Sequence, residues 1–231
     1  MSGGSMIELS HKPLIRAYRG DCMGLMTDAP DEHYDLAIVD PPYGIEMGGN
    51  AQIKSLKSRP KWEGCKYKTK EWDKVKPDKT YFNELFRISK DQVVWGGNYF
   101  TTNLTETNSW IVWDKKMSHN VNFSHCELAW TSLKRSMKLF SYTATGYSKN
   151  KIHPTQKPVS LYRWLLTNYA KPGQTIVDTH GGSFSSAIAC WHEGYDMDIC
   201  EIDNDYFEDA CERFERETRQ HKLFPISGEG A

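Results

Sequence analysis

Two short runs that each stop abruptly at an acid constrain this chain more than any other feature. Leu36-Ala-Ile-Val39 is halted by Asp40-Pro-Pro42, and Thr175-Ile-Val-Asp178 gives way to Gly181-Gly182. Short apolar runs without polar alternation are the pattern of strands buried on both faces. Leu14–Tyr18, Gln92–Trp95, Trp110–Trp113, Cys126–Trp130 and Asp198–Glu201 read as further strands. Between them, helical spacing is expected over Cys22–Thr27, Tyr81–Ser89, Pro158–Tyr169, a small-residue stretch ending at Trp191, and Tyr206–Thr218. Strands alternating with helices predict an α/β domain with a mostly parallel sheet and helices on both faces. Ligands in such sheets sit at the carboxyl ends of the strands.

The chain has 231 residues, enough for one domain carrying insertions. The domain is expected over 14–219, with polar, basic insertions at 45–79 and 134–152, the latter irregular with room for one hairpin. Residues 1–13 read as a flexible lead-in or tag remnant and 220–231 as a flexible tail. Met1–Met6 lacks a basic region followed by an apolar stretch, so no secretory signal is expected there. Six scattered cysteines without a C-x-x-C pair argue against a zinc site or disulfide framework and for a reducing cytoplasm. Mean hydropathy is −0.66, and no run approaches the length of a membrane span.

Net charge is only −1, but charge is segregated. Lys54–Lys79 holds ten Lys or Arg against four acids, and Lys134–Lys157 holds six with no acid. Asp178–Glu217 holds twelve acids against Arg213 and Arg216. Basic stretches facing phosphates release condensed counterions, and Trp62, Tyr67, Trp72, Phe140, Tyr142 and Tyr147 interleave them with rings on which unstacked bases can lie. Lys54, Lys57, Arg59, Lys61, Lys66, Lys68, Lys134, Arg135, Lys138 and Lys149 are the candidate nucleic-acid contacts.

Two constellations carry chemistry. Thr175–Asp178, then Thr179-His-Gly-Gly-Ser183 and a helix, then a strand ending at Glu201, offer a backbone turn open to a ligand and a strand-end acid for a hydroxyl. The stretch lacks G-x-G-x-x-G, a P-loop lysine and the last glycine of G-x-S-x-G, which disfavours dinucleotide, triphosphate and hydrolase readings. The other constellation is Asp40-Pro-Pro-Tyr43. An exocyclic amine is a poor nucleophile because its lone pair is delocalised into the ring. A carboxylate (Asp40) and a backbone carbonyl (Pro41) accepting its hydrogens would favour the pyramidal form. Pro41 and Pro42 fix the corner, and Tyr43 offers a flat face to an extracted base.

On these residues the chain resembles the β group of S-adenosylmethionine-dependent DNA amino-methyltransferases over roughly residues 14–217. Asp40-Pro-Pro-Tyr43 matches their catalytic motif, His153-Pro-Thr-Gln-Lys-Pro158 a short segment before the cofactor loop, and Thr175–Ala189 that loop. Trp113-Asp-Lys115 and Cys126-Glu-Leu-Ala-Trp-Thr-Ser132 look like small prophage-type members. The resemblance implies a Rossmann-like methyltransferase sheet in permuted order, catalytic half first and cofactor half second. It implies S-adenosylmethionine as cofactor, no metal, and double-stranded DNA as partner, with no membrane. Homodimerisation and a cognate restriction nuclease are compatible with it.

Residue by residue, the resemblance puts Asp21, Cys22, Glu201 and Ile202 at the adenosine moiety. It puts Asp178, Gly181, Ser183 and Lys157 at the methionine end, with Asp40 between cofactor and base. His153 and His180 fit structural turns better than general bases. Aspartate at position 40 favours adenine N6, with cytosine N4 as the alternative. Where relatives have a further glycine this chain has Phe184, which is expected to narrow the cofactor pocket. A DNA-binding module with impaired turnover therefore stays open as a second alternative.

Overall fold

The computed structural model describes residues 5–45, 76–117, 124–143 and 151–219. The candidate contacts Lys54, Lys57, Arg59, Lys61, Lys66, Lys68 and Lys149 lie outside them. In chain order the strands are β1 (Ser5–His11), β2 (Leu14–Arg19), β3 (Tyr34–Val39), β4 (Ser89–Trp95), β5 (Trp110–Asp114), β6 (Cys126–Thr131), β7 (Lys138–Ser141), β8 (Thr175–Asp178) and β9 (Asp196–Glu201). The helices are α1 (Cys22–Asp28), α2 (Lys79–Ile88), α3 (Val159–Tyr169), α4 (Ser185–Glu193) and α5 (Asn204–Arg219). Among the described residues the strands form one sheet in the order β1-β2-β9-β8-β3-β4-β6-β5-β7. β2, β9, β8, β3 and β4 run parallel, β6 runs antiparallel between β4 and β5, and β1 lies antiparallel outside β2.

The continuous apolar run of β3 exists because both faces of the sheet are covered. Leu36 and Ile38 enter a layer with Leu161 of α3, Ile188 of α4 and Phe214 of α5. Ala37 and Val39 enter the opposite layer with Met26 of α1 and Phe82 and Leu85 of α2. α2 starts where the Asp78 carboxylate accepts from the backbone N–H of Thr80 (2.8 Å) and Tyr81 (3.3 Å), filling donors that a helix start leaves unpaired. Its buried Tyr81, Phe82, Leu85 and Ile88 recur at one-face helical spacing.

From β3 the chain passes through α2 to β4 on one side, and from β8 through α4 to β9 on the other. β3 and β8 are themselves neighbours, with Leu36 opposite Ile176 and Ala37 opposite Val177. The point where the winding reverses opens a crevice at the carboxyl ends of these two strands.

Three expectations are corrected. Part of the presumed lead-in, Ser5–His11, is an edge strand paired to β2. It is mostly exposed, so backbone pairing rather than apolar alternation defines it. In the 134–152 segment, Lys138–Ser141 is a regular strand, paired in parallel with β5 with Ile111 opposite Lys138; residues 144–150, on which a hairpin would draw, lie outside the described residues. Phe184 does not itself line the cavity described below; its ring lies behind Gly181, which does. Its left-handed backbone (φ 56°) at the start of α4 turns the fully buried ring into the core, edge-on to Phe207 at 5.8 Å. Phe184→Ala should therefore behave as a core deletion, lowering the unfolding free energy in urea by about 3–5 kcal/mol.

Candidate active site

Beyond the carboxyl ends of β3 and β8 lies a cavity of about 210 Å³. Asp21, Cys22, Asp40 and Pro42 line it from the first half of the chain. Lys157, Gly181, Ser183, Glu201 and Ile202 line it from the second. The two constellations thus share one site, brought together by the β3–β8 pairing.

Asp40 closes β3 with both carboxylate oxygens engaged. Tyr43 Oη donates to Oδ1 at 2.6 Å, and Lys157 Nζ donates to Oδ2. Lys157 is buried, and Glu127 of β6 brings a second carboxylate oxygen to 3.1 Å of its ammonium, at an angle that makes an ion contact rather than a hydrogen bond. The other Glu127 oxygen meets Lys115 Nζ at 2.6 Å. Burial alone would raise the Glu127 carboxyl, but Lys157 and Lys115 outweigh it and hold the group down at about 2. Burial likewise opposes the Lys157 charge, and Asp40 and Glu127 overcome it, leaving the ammonium harder to deprotonate than usual. Glu127 and Lys115 had no assigned role in the sequence; the one signal was an acid inside an otherwise apolar strand.

Tyr43 is committed on its ring as well as its hydroxyl. It stacks on Tyr99 at 4.8 Å with 14° between planes, and meets Phe100 edge-on. Gly96, at φ 66°, sits against the same ring, where a Cβ would come within 2.1 Å. Pro41 is buried and is not among the described residues lining the cavity.

At the other end, Asp21 caps α1 by accepting from Met23 N–H at 2.9 Å. Glu201 accepts from the N–H of Gly182 and of Asp203, both at 2.8 Å, and its burial raises the carboxyl. Arg213 of α5, also unassigned in the sequence, donates to the Ser183 carbonyl (2.8 Å) and to Ser185 Oγ (2.9 Å), pinning the loop from behind. Burial pushes the Cys22 thiol up to about 12, so it stays protonated.

A family model described as DNA methylase matches residues 66–212. The chain belongs to the DNA methylase family. It is 22% identical over 221 residues to the type II methyltransferase M2.MboI of Moraxella bovis, a match covering 74% of this chain and 77% of that protein. Its fold is similar to that of M1.HpyAVI, solved with S-adenosylmethionine (TM-score 0.57, 19% identity, 86% of this chain and 98% of that one). It is also similar to the cytosine-N4-specific PvuII DNA methyltransferase (TM-score 0.60, 13% identity, 95% of each chain).

In this DNA methylase, besides Pro41 and Tyr43, two further groups of expected site residues sit outside the cavity lining. Asp178 does not line the cavity; its oxygens accept from His180 N–H (3.0 Å) and Ser186 Oγ (2.7 Å), so the carboxylate braces the loop from within. The second basic run is split by the sheet. Lys157 is in the cavity, whereas Lys138 starts β7 at the amino ends of the parallel strands, with Lys134 and Arg135 just before it. Arg135 and Lys138 are tied to Asn168 at the end of α3, through its carbonyl (2.5 Å) and its side-chain oxygen (2.8 Å).

His153 and His180 both line the cavity, and His180 is joined to the Thr179 hydroxyl at 2.9 Å. Burial raises the Asp178 carboxyl to about 7 and lowers His180 to about 4. The folded protein holds the Asp178 proton more tightly than the unfolded chain, so that contribution to stability declines as pH rises from about 4 to about 7. His180 has the opposite sign, its contribution growing between about 4 and 6.5. The two slopes oppose each other in the wild type. Asp178→Asn should expose the histidine slope, so urea unfolding free energy climbs with pH across that window more steeply than in the wild type.

Proposed function

We propose that this DNA methylase transfers a methyl group from S-adenosylmethionine to adenine N6 in double-stranded DNA. The observation that carries the reading is the single cavity that holds Asp40 together with the Gly181–Ser183 loop.

The lining suits the cofactor by its chemistry. Asp21 and Glu201 keep acceptor lone pairs for the adenosine moiety, and Lys157 is a cation for a carboxylate. At Gly182 (φ 52°) the backbone turns without a side chain. When bound, S-adenosylmethionine supplies an electrophilic methyl on a sulfonium centre. Asp40 and the Pro41 carbonyl are read as the acceptors that orient the target amine. Holding amine and methyl in line supplies the acceleration. The base must leave the stack, at a cost of about a few kcal/mol, and we assign its retention outside the helix in part to the basic 54–68 stretch and Lys149. A neutral His180 is not required as base, since the proton is lost easily once the amine has become cationic.

Aspartate at position 40 favours adenine over cytosine. The order of the halves, β3 before β8, is read as the permuted arrangement of the β group.

Asp40→Asn keeps the size of the side chain and should retain cofactor binding while methyl transfer to unmodified DNA falls by about 100-fold or more. Normal turnover by the variant would remove Asp40 from the mechanism. Mass spectrometry of nucleosides from DNA treated with the wild type should find N6-methyladenine; N4-methylcytosine would replace adenine by cytosine in this reading.

A further inference from the structure

The charged chain around Asp40 has a consequence for how the two substrates are admitted. Asp40 Oδ2 is occupied by Lys157 and Oδ1 by Tyr43 Oη, so the carboxylate meant to receive an amine already has a donor on each oxygen. Lys157 faces the same cavity, with Asp40 and Glu127 as its anionic partners and the Trp95 ring 5.3 Å away. Lys115 balances Glu127, so these four side chains sum to no net charge.

We infer that Lys157 is a shared cation: it turns from Asp40 to the carboxylate of the bound cofactor, and in doing so makes Asp40 Oδ2 a stronger acceptor for the amine of the target base. This rests on the methyltransferase reading above and deepens it. An ammonium has three donors but one position, and a third carboxylate that draws Nζ toward itself weakens its hold on the first two. Cofactor and base then favour each other's binding through one lysine, without any movement of the sheet. Lys157 is a positioning residue toward the base, acting through Asp40.

The test needs no DNA. If Asp40 competes with the cofactor carboxylate for Lys157, removing the Asp40 charge should tighten cofactor binding. S-adenosylhomocysteine carries the carboxylate, and 5′-methylthioadenosine lacks the whole amino-acid end. By calorimetry, Asp40→Asn should bind S-adenosylhomocysteine about 5- to 10-fold more tightly than the wild type, with 5′-methylthioadenosine unchanged. Glu127→Gln should shift affinity the same way by less. In a Lys157→Met background, Asp40→Asn should have no effect. Unchanged or weaker binding by both Asp40→Asn and Glu127→Gln would overturn the shared-cation inference while leaving the cofactor reading standing. Equal tightening of 5′-methylthioadenosine would overturn it too, since no carboxylate is then involved. Failure of the wild type to bind S-adenosylhomocysteine at all would instead bring down the methyltransferase reading, and the inference with it.

Discussion

The lateral pairing of β3 with β8 is the contact on which the site depends. Only Leu36–Ile176 and Ala37–Val177 are in register, yet they fix where Asp40 and the Thr179–Ser183 loop emerge. The two strands are remote in sequence, so the chain closes a long loop to make this pair, and that entropy is recovered only by burial. Both faces contribute: Leu36 and Ile176 belong to one apolar layer, Ala37 and Val177 to the other. A slip of one residue would exchange the faces of every side chain and shift Asp40 away from the loop. The same register that packs the core therefore sets the geometry of the cavity.

Around that crevice the protein buries charge, and each buried ion is answered by a partner from another element. Lys157 precedes α3, Glu127 lies on β6, Lys115 follows β5 and Asp40 closes β3. Isolated, any one of them would be costly to desolvate; as an alternating chain they largely offset one another. Arg213 solves a related problem, since the loop ahead of α4 has a left-handed residue at its cap and no side-chain cap of its own. Its guanidinium takes up the Ser183 carbonyl, and Glu217 one turn along α5 takes up the guanidinium at 2.7 Å. Within the sheet, Asp198 receives Arg16 through two bonds and the Tyr34 hydroxyl at 2.7 Å, tying β9 to β2 and β3. Removing one partner of such an arrangement leaves the other charge desolvated and unpaired, which costs more than the intact pair contributes.

The legible parts of the sequence were those whose signal is local. Leu36–Val39 and Thr175–Asp178 could be read because burial on two faces removes alternation, and α2 because its apolar residues recur on one face. Ser5–His11 and Lys138–Ser141 escaped because exposed edge strands are held by backbone bonds that leave no apolar pattern. Phe184 misled for another reason: its bulk is visible in the sequence, but the direction of the ring follows from a backbone angle set by the turn. The pairing of Asp40 with Lys157 spans 117 residues and is invisible to any window of spacing. Likewise Lys134, Arg135 and Lys138 share a basic run with Lys157 yet lie at the other end of the strands, because β7 carries the chain along the sheet between them.

The rigidity of the catalytic corner follows from the same non-local contacts. Two prolines fix the backbone torsions after β3. Tyr43 then returns its hydroxyl to Asp40, while its ring is held between Tyr99 and the left-handed Gly96 that follows β4. A side chain at Gly96 would collide with that ring, so the turn after β4 and the corner after β3 are compatible only with glycine there. With Tyr43 anchored from below, the carboxylate orientation is set during folding rather than on binding, which is the condition under which fixed dipoles and charges are most effective on a reacting group. The freedom left in the corner is then concentrated in the one partner of Asp40 that is a flexible, multivalent donor. A rigid acceptor held by a tyrosine and a mobile cation held by two acids divide the work: geometry resides in Tyr43, and availability resides in Lys157.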